Sequence, residues 1–206
     1  MRLEQKEKRK LEIIIASIDV FVMKGYTGTK IQDIAKAAGM SVGLLFHYFK
    51  NKEELFNELT KIAVEGTNLP YGMYYDSIYD FFLKLTDYLF VSIQEQPYRA
   101  KIFSFMSMVR RSDDVPTLAK KIIKNSDVFN KLESFIKNGQ ENGTINQENP
   151  KILTQLYWSM IQNTMDQYIY NPKLPLPNSK TIVSILKVDD CNDNQDNDDK
   201  LYTSIV

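Results

Sequence analysis

The residues best suited to chemistry in this chain lie between positions 39 and 56, in the run GMSVGLLFHYFKNKEELF, which holds its one histidine. If this run is helical, Gly43, Leu44, His47 and Tyr48 share a face, because residues three and four apart lie above one another. Such a face suits the groove of a duplex better than open water. Gly43 permits close backbone approach, Leu44 can touch a thymine methyl, and His47 and Tyr48 can hydrogen-bond to base edges or phosphates. Thr29, Lys30, Gln32, Ser41, Val42, Lys50 and Lys52 complete the candidate DNA-contact set. They fall near helix starts or the rim of the face, where backbone N–H groups and cations meet phosphates.

Other chemistries find little support. There is one cysteine, Cys191, set in an acidic tail, so an internal disulfide is excluded and a reducing compartment is expected. Neither metal-ligand spacing, nor a glycine-rich phosphate loop, nor a nucleophile elbow is present, so no catalytic residue, metal or cofactor is expected. An enzyme is therefore the weaker reading. Lys and Arg balance Asp and Glu at 26 each, but not evenly. Residues 1–61 hold 11 Lys and Arg against 8 Asp and Glu, whereas residues 189–200 hold six Asp and one Lys. The mildly basic first segment is permissive for nucleic acid. No run approaches 18 uninterrupted apolar residues, so no membrane partner is expected and the chain reads as cytoplasmic.

The elements that must position these residues are helical. Ile14, Ile18, Phe21 and Val22 recur at spacings of three and four, predicting a helix from about Lys6 to Lys24 that Gly25 stops. Thr29 is expected to cap a second helix carrying Ile31, Ile34, Ala35 and Ala38 inward. Gly39 ends it, and Ser41 caps a third whose inward face is predicted to be Val42, Leu45, Phe46 and Phe49. Asn51 caps a fourth, with Leu55, Leu59 and Ile62 along its stripe. Two short helices joined through Gly39–Ser41 have the spacing of a helix-turn-helix. Further helices are predicted near 76–95, 98–111, 117–141, 150–170 and 179–187, after a break at NLPYG (68–72). The fold class is all-α: a three-helix N-terminal helix-turn-helix domain and a larger C-terminal helical bundle, about nine helices in all. The expected division is 1–50, then 51–188 with 51–67 as a connecting helix, then a low-complexity acidic tail at 189–206.

The stretch GYTGTKIQDIAKAAGMSVGLLFHYFKNKEELF, residues 25–56, resembles the DNA-binding segment of the TetR family of transcriptional regulators. The resemblance rests on Gly25-Tyr26, Thr29, Ile34-Ala35, Ala38-Gly39-Met40-Ser41, Phe46-His47-Tyr48-Phe49 and Lys52-Glu53-Glu54-Leu55. Phe46 stands where the family usually has Tyr, Tyr48 where it has His, and Leu44 where a small or Thr-like residue is expected. The resemblance implies a regulator, a repressor released from a pseudo-palindromic operator by a small effector. It also implies an effector pocket in residues 71–170, which are rich in aromatics and Met.

Most such side chains in a helical bundle are core, but as a set they suit an adaptable apolar cavity. Phe82, Phe103, Met106, Trp158 and Met165 are the candidate ligand contacts, for a largely apolar effector. The 150–170 segment is apolar on more than one side. With the short Ile182–Ile185–Leu186 helix it resembles the family's dimerising pair, so a homodimer is expected. The alternative reading is a helical small-molecule-binding or interaction module that does not read DNA.

Overall fold

The computed structural model describes residues 2–66, 73–126 and 128–188, with side chains from residue 4. The NLPYG break and the acidic tail, as segments singled out in the sequence, therefore lie outside the described residues. Ten α-helices and a closing 3-10 turn make up the regular structure of the described residues. They are α1 (Arg2–Gly28), α2 (Ile31–Ala37), α3 (Val42–Phe46), α4 (Lys52–Gly66) and α5 (Ile78–Glu95). Then follow α6 (Tyr98–Arg111), α7 (Thr117–Asn125), α8 (Val128–Glu141), α9 (Pro150–Tyr170) and α10 (Ser179–Val183), with the 3-10 turn at Ser184–Leu186.

Local chemistry explains most boundaries. Gly25 adopts φ 68°, ψ 175°, which breaks the last turn of α1 where the sequence places its stop. Ser77 caps α5 by accepting from the Asp80 N–H, and Asn149 caps α9, whose first residue is Pro150. The predicted single helix over 117–141 is instead two. Ser126 is extended (ψ 112°), and its hydroxyl donates to the Ile123 carbonyl at 2.5 Å, offering the backbone an alternative to the helical ladder.

Two apolar cores form, and α6 takes part in both. One is built from α5, α8, α9 and α10 with Ala100 and Phe103 of α6. Tyr157 is fully buried there and shares a 3.0 Å hydrogen bond with Thr86, while burial pushes its phenol pKa up. The other joins α1–α4 to Ile102, Phe105, Met106 and Val109 of α6 and to Ala119 and Ile123 of α7. The apolar interior of the first four helices thus does not end at residue 50.

Phe56 of α4 is the centre of that second core. Its ring lies 4.8 Å from Phe21 and 4.9 Å from Tyr26, both edge-on, and 5.1 Å from Phe105 of α6. Such pairs add to the large apolar area that each ring buries. Phe56→Ala would leave a void touching α1, the turn after it, and α6. The expected loss is about 3–5 kcal/mol, measured as a drop in the denaturant midpoint; a loss below about 1 kcal/mol would show that Phe56 does not hold these helices together.

Candidate nucleic-acid interface

Three residues in and beside α3 decide the geometry of the exposed surface. Leu45 and Phe49 are buried against α1 and α2, and Ser41 accepts a 3.2 Å hydrogen bond from the Leu44 N–H. Gly39, at φ 62°, supplies the left-handed turn that brings Ser41 into capping position directly after α2. A five-residue helix has no stability of its own, so these anchors hold it in place.

What remains outward is Gly43, Leu44, Phe46 and His47, with Leu44 40% and Phe46 47% exposed. Open space lies where a Cβ on Gly43 would project. Two assignments of the helical wheel are corrected here. Phe46 faces solvent instead of the core, and Tyr48 is half-buried against that core. The buried direction runs between Leu45 and Phe49, not through Val42. At 100° per residue, Phe46 and Tyr48 each lie about 80° to either side of it. Val42 itself is half-buried.

The flanking cations and hydroxyls divide into two groups. Lys30, Gln32, Lys36 and Lys50 are exposed. Ser41 is exposed too, its oxygen used as the cap. Thr29 and Lys52 turn inward, against the expectation that they offer side chains to phosphates. Thr29 is only 2% exposed, and its hydroxyl donates to the carbonyls of Gly25 (2.6 Å) and Val20 (3.3 Å). The residue preceding α2 is therefore Lys30, whose N–H donates to the Asp33 carboxylate at 3.1 Å. The Lys24 ammonium, 3.0 Å from the same carboxylate, holds the Asp33 pKa down, and the Lys30 N–H adds to it.

The Lys52 ammonium donates to the carbonyls of Tyr26 (2.7 Å) and Thr29 (2.8 Å) and sits 4.2 Å over the Tyr26 ring. Partial burial lowers its pKa. These contacts bind the start of α4 to the turn between α1 and α2, over 23 and 26 residues of sequence. At the same corner Asp114, from the α6–α7 connection, accepts hydrogen bonds from Ser112 and Thr27, which pull its pKa down to about 2. Sequence spacing carried no signal for the Lys52 contacts or for the one between Asp114 and Thr27, because those partners are distant in the chain.

The candidate ligand residues separate in the same way. Phe103, Met106 and Trp158 line one groove between α6 and α9, of about 270 Å³, together with Ser107, Arg110, Gln162 and Asp166. Its lining mixes rings with charged and amide groups, unlike the apolar cavity expected. Phe82 and Met165 do not reach it; both are fully buried, and Phe82 packs edge-on to Tyr157 at 4.9 Å. A second cavity of about 210 Å³ lies where α1, α4, α5 and α6 meet. Ile14, Ile18, Leu59, Ile62, Leu89 and Ile102 line it together with Glu65, Ser92 and Arg99, and Phe103 is a wall common to both. Of its residues only Phe103 is among the candidate ligand contacts; Ile14, Ile18, Leu59 and Ile62 read from sequence as the inward stripes of α1 and α4.

Among the described residues, no group of three or more His, Cys, Asp or Glu could hold a metal ion, and no helix is long and apolar enough to cross a membrane.

An exposed short helix presented by a two-helix turn, beside a larger helical domain, defines a helix-turn-helix protein. Residues 13–59 match the family model described as bacterial regulatory proteins, tetR family. That match takes in α2, α3 and the turn between them. It is 23% identical over 161 residues to the HTH-type transcriptional repressor KstR2 of Mycolicibacterium smegmatis, spanning 78% of this chain and 77% of that protein. Over 59 residues it is 37% identical to the fatty acid metabolism regulator protein of Bacillus subtilis, a match confined to 29% of this chain and 30% of the other. Among solved structures, the transcriptional regulator FadR from Bacillus subtilis in complex with stearoyl-CoA superposes with TM-score 0.63 at 21% identity, covering 86% of this chain and 97% of that one. A TetR-family regulator from Agrobacterium tumefaciens superposes with TM-score 0.63 at 11% identity, covering 88% and 95%.

The split between inward and outward lysines is testable without any ligand. Lys52→Ala removes two hydrogen bonds from a charged donor and is expected to destabilise the fold by about 1–3 kcal/mol. Lys50→Ala, at an exposed side chain, should stay within about 0.5 kcal/mol of the parent. Equal urea midpoints for the two variants would overturn the distinction.

Proposed function

We propose that this protein is a ligand-responsive transcriptional repressor that lays α3 in the major groove of a duplex operator. The observation that carries the reading is the exposed set Gly43, Leu44, Phe46 and His47. They stand on a helix whose opposite side is anchored by Leu45 and Phe49, with Lys30, Lys36 and Lys50 exposed on the elements around it. Phe46 adds an apolar contact where a hydroxyl is usual in the family, and Tyr48 keeps an accessible edge. In this reading Lys52 and Thr29 position the reading unit and do not touch DNA through their side chains. The protein works in the compartment that holds the DNA.

One such unit makes few base contacts, so two copies reading a pseudo-palindrome, with half-sites about 34–36 Å apart or a multiple of that, supply the specificity. A homodimer is supported by the outer face of α9, where Ile152 and Leu156 are about half exposed one turn apart. The expected contribution from the last short helix is smaller than its sequence suggests, since Ile182 and Leu186 are buried within the chain.

The effector seat supported best is the cavity between α1, α4, α5 and α6, with aliphatic walls and Glu65, Ser92 and Arg99 in its lining. An occupant there would touch Ile14 and Ile18 of α1 and Leu59 and Ile62 of α4, the helices that carry the reading unit, and Ile102 of α6 from the larger domain. An aliphatic chain fits the lining. The fold relative from Bacillus subtilis was solved in complex with stearoyl-CoA, which supports an effector with an acyl chain. A thousandfold release of DNA requires the effector to favour the released state by roughly 4 kcal/mol.

Gel-shift titration with the DNA upstream of its own gene tests the reading. Retention should fall steeply with salt, by about 0.9 per phosphate contacted in log affinity against log salt. His47→Ala should weaken binding by about 1–3 kcal/mol, and Lys50→Ala should reduce the salt slope by about 1. Absence of salt-dependent retention would sink the proposal.

A further inference from the structure

The groove between α6 and α9 is a second, chemically different site. On α6, Phe103, Met106 and Arg110 stand on one stripe, and on α9, Trp158, Gln162 and Asp166 stand on the facing one. At one end the guanidinium of Arg110 lies 4.8 Å from the ring centre of Phe129, which is itself edge-on to Trp158 at 5.6 Å. Phe103 closes the aromatic wall at 5.7 Å from Trp158.

Arg110 is charged, partly desolvated by this packing and still reachable from solvent. Among the described residues no carboxylate pairs with it; burial is the one influence on its pKa, which it lowers. The Arg110 guanidinium is exposed and held over the Phe129 ring, so its fork of donors is free to take a carboxylate in two parallel hydrogen bonds. Asp166, the carboxylate that lines the same groove, is engaged elsewhere. It accepts from the Ser104 hydroxyl and from the Gln162 amide, at 3.3 Å to each oxygen. Its remaining lone pairs make it an acceptor for a donor entering the groove. A volume of about 270 Å³ bounds the occupant to a small molecule.

We propose that this groove binds a small aromatic carboxylate that carries a hydroxyl or amino group. The carboxylate pairs with Arg110, the ring lies against Trp158, and the donor faces Asp166. The reverse orientation would set two carboxylates against each other. The site is separate from the cavity between α1, α4, α5 and α6 and does not require the protein to bind DNA.

Trp158 is the one tryptophan of the chain, so its fluorescence reports occupancy directly on the whole protein without DNA. The probes are 4-hydroxybenzoate and its uncharged counterpart 4-hydroxybenzamide, with excitation at the red edge of the tryptophan band. The acid should change the emission saturably, and the amide should bind at least tenfold more weakly. Arg110→Gln should lose at least tenfold in affinity for the acid while leaving the amide unchanged. Arg110→Lys, which keeps the charge, should retain more affinity than Arg110→Gln. No saturable response, equal affinity for acid and amide, or equal affinities in the two variants would each overturn the proposal. A gel-shift failure would leave this result untouched, so the two readings fail separately.

Discussion

The packing of Phe56 between Phe21, Tyr26 and Phe105 is the constraint on which the rest of the molecule depends. It joins the helices that display α3 to a helix, α6, whose other side belongs to the larger domain. Close-packed interiors do not deform continuously, so a shift of α6 has to be accommodated by repacking around these rings. That is the physical basis for communication between the two parts. A loose linker between independent cores would transmit nothing.

Polar contacts at the corner of the first three helices complement this packing. Lys52 takes the carbonyls of Tyr26 and Thr29, and Thr29 returns its hydroxyl to the end of α1. Carbonyls at a helix end need partners, and here a cation from the start of α4 supplies them. The same corner receives Asp114 from the larger domain. The orientation of the reading helix is therefore set by internal hydrogen bonds, leaving the outward side chains of α3 without a structural task.

Cavity chemistry divides the ligand-binding potential of the larger domain. Where α1, α4, α5 and α6 meet, aliphatic side chains share the lining with Glu65 and Arg99; where α6 faces α9, a guanidinium over a ring, a held carboxylate and a wall of rings line the groove. Phe103 separates the two. The candidate residues drawn from the aromatic-rich stretch fell on either side of a simple physical line. Phe82 and Met165 are fully buried core, while Phe103, Met106 and Trp158 line the groove between α6 and α9.

The helix-turn-helix and most helices were legible because their signals are local. Gly25, Gly39, Ser41, Asn51 and Pro150 act within a few residues of themselves, through backbone conformation and capping hydrogen bonds. The spans 98–111 and 150–170 followed from the same reasoning. Periodicity likewise determined that Leu45 and Phe49 are inward. Only the tertiary structure decided that Phe46 looks outward, that Thr29 and Lys52 are spent inside the fold, that 117–141 breaks at Ser126, and that α6 serves two cores. Each of these depends on the direction in which a neighbour distant in sequence approaches, and a linear pattern sets which face of a helix is apolar without setting what will cover it.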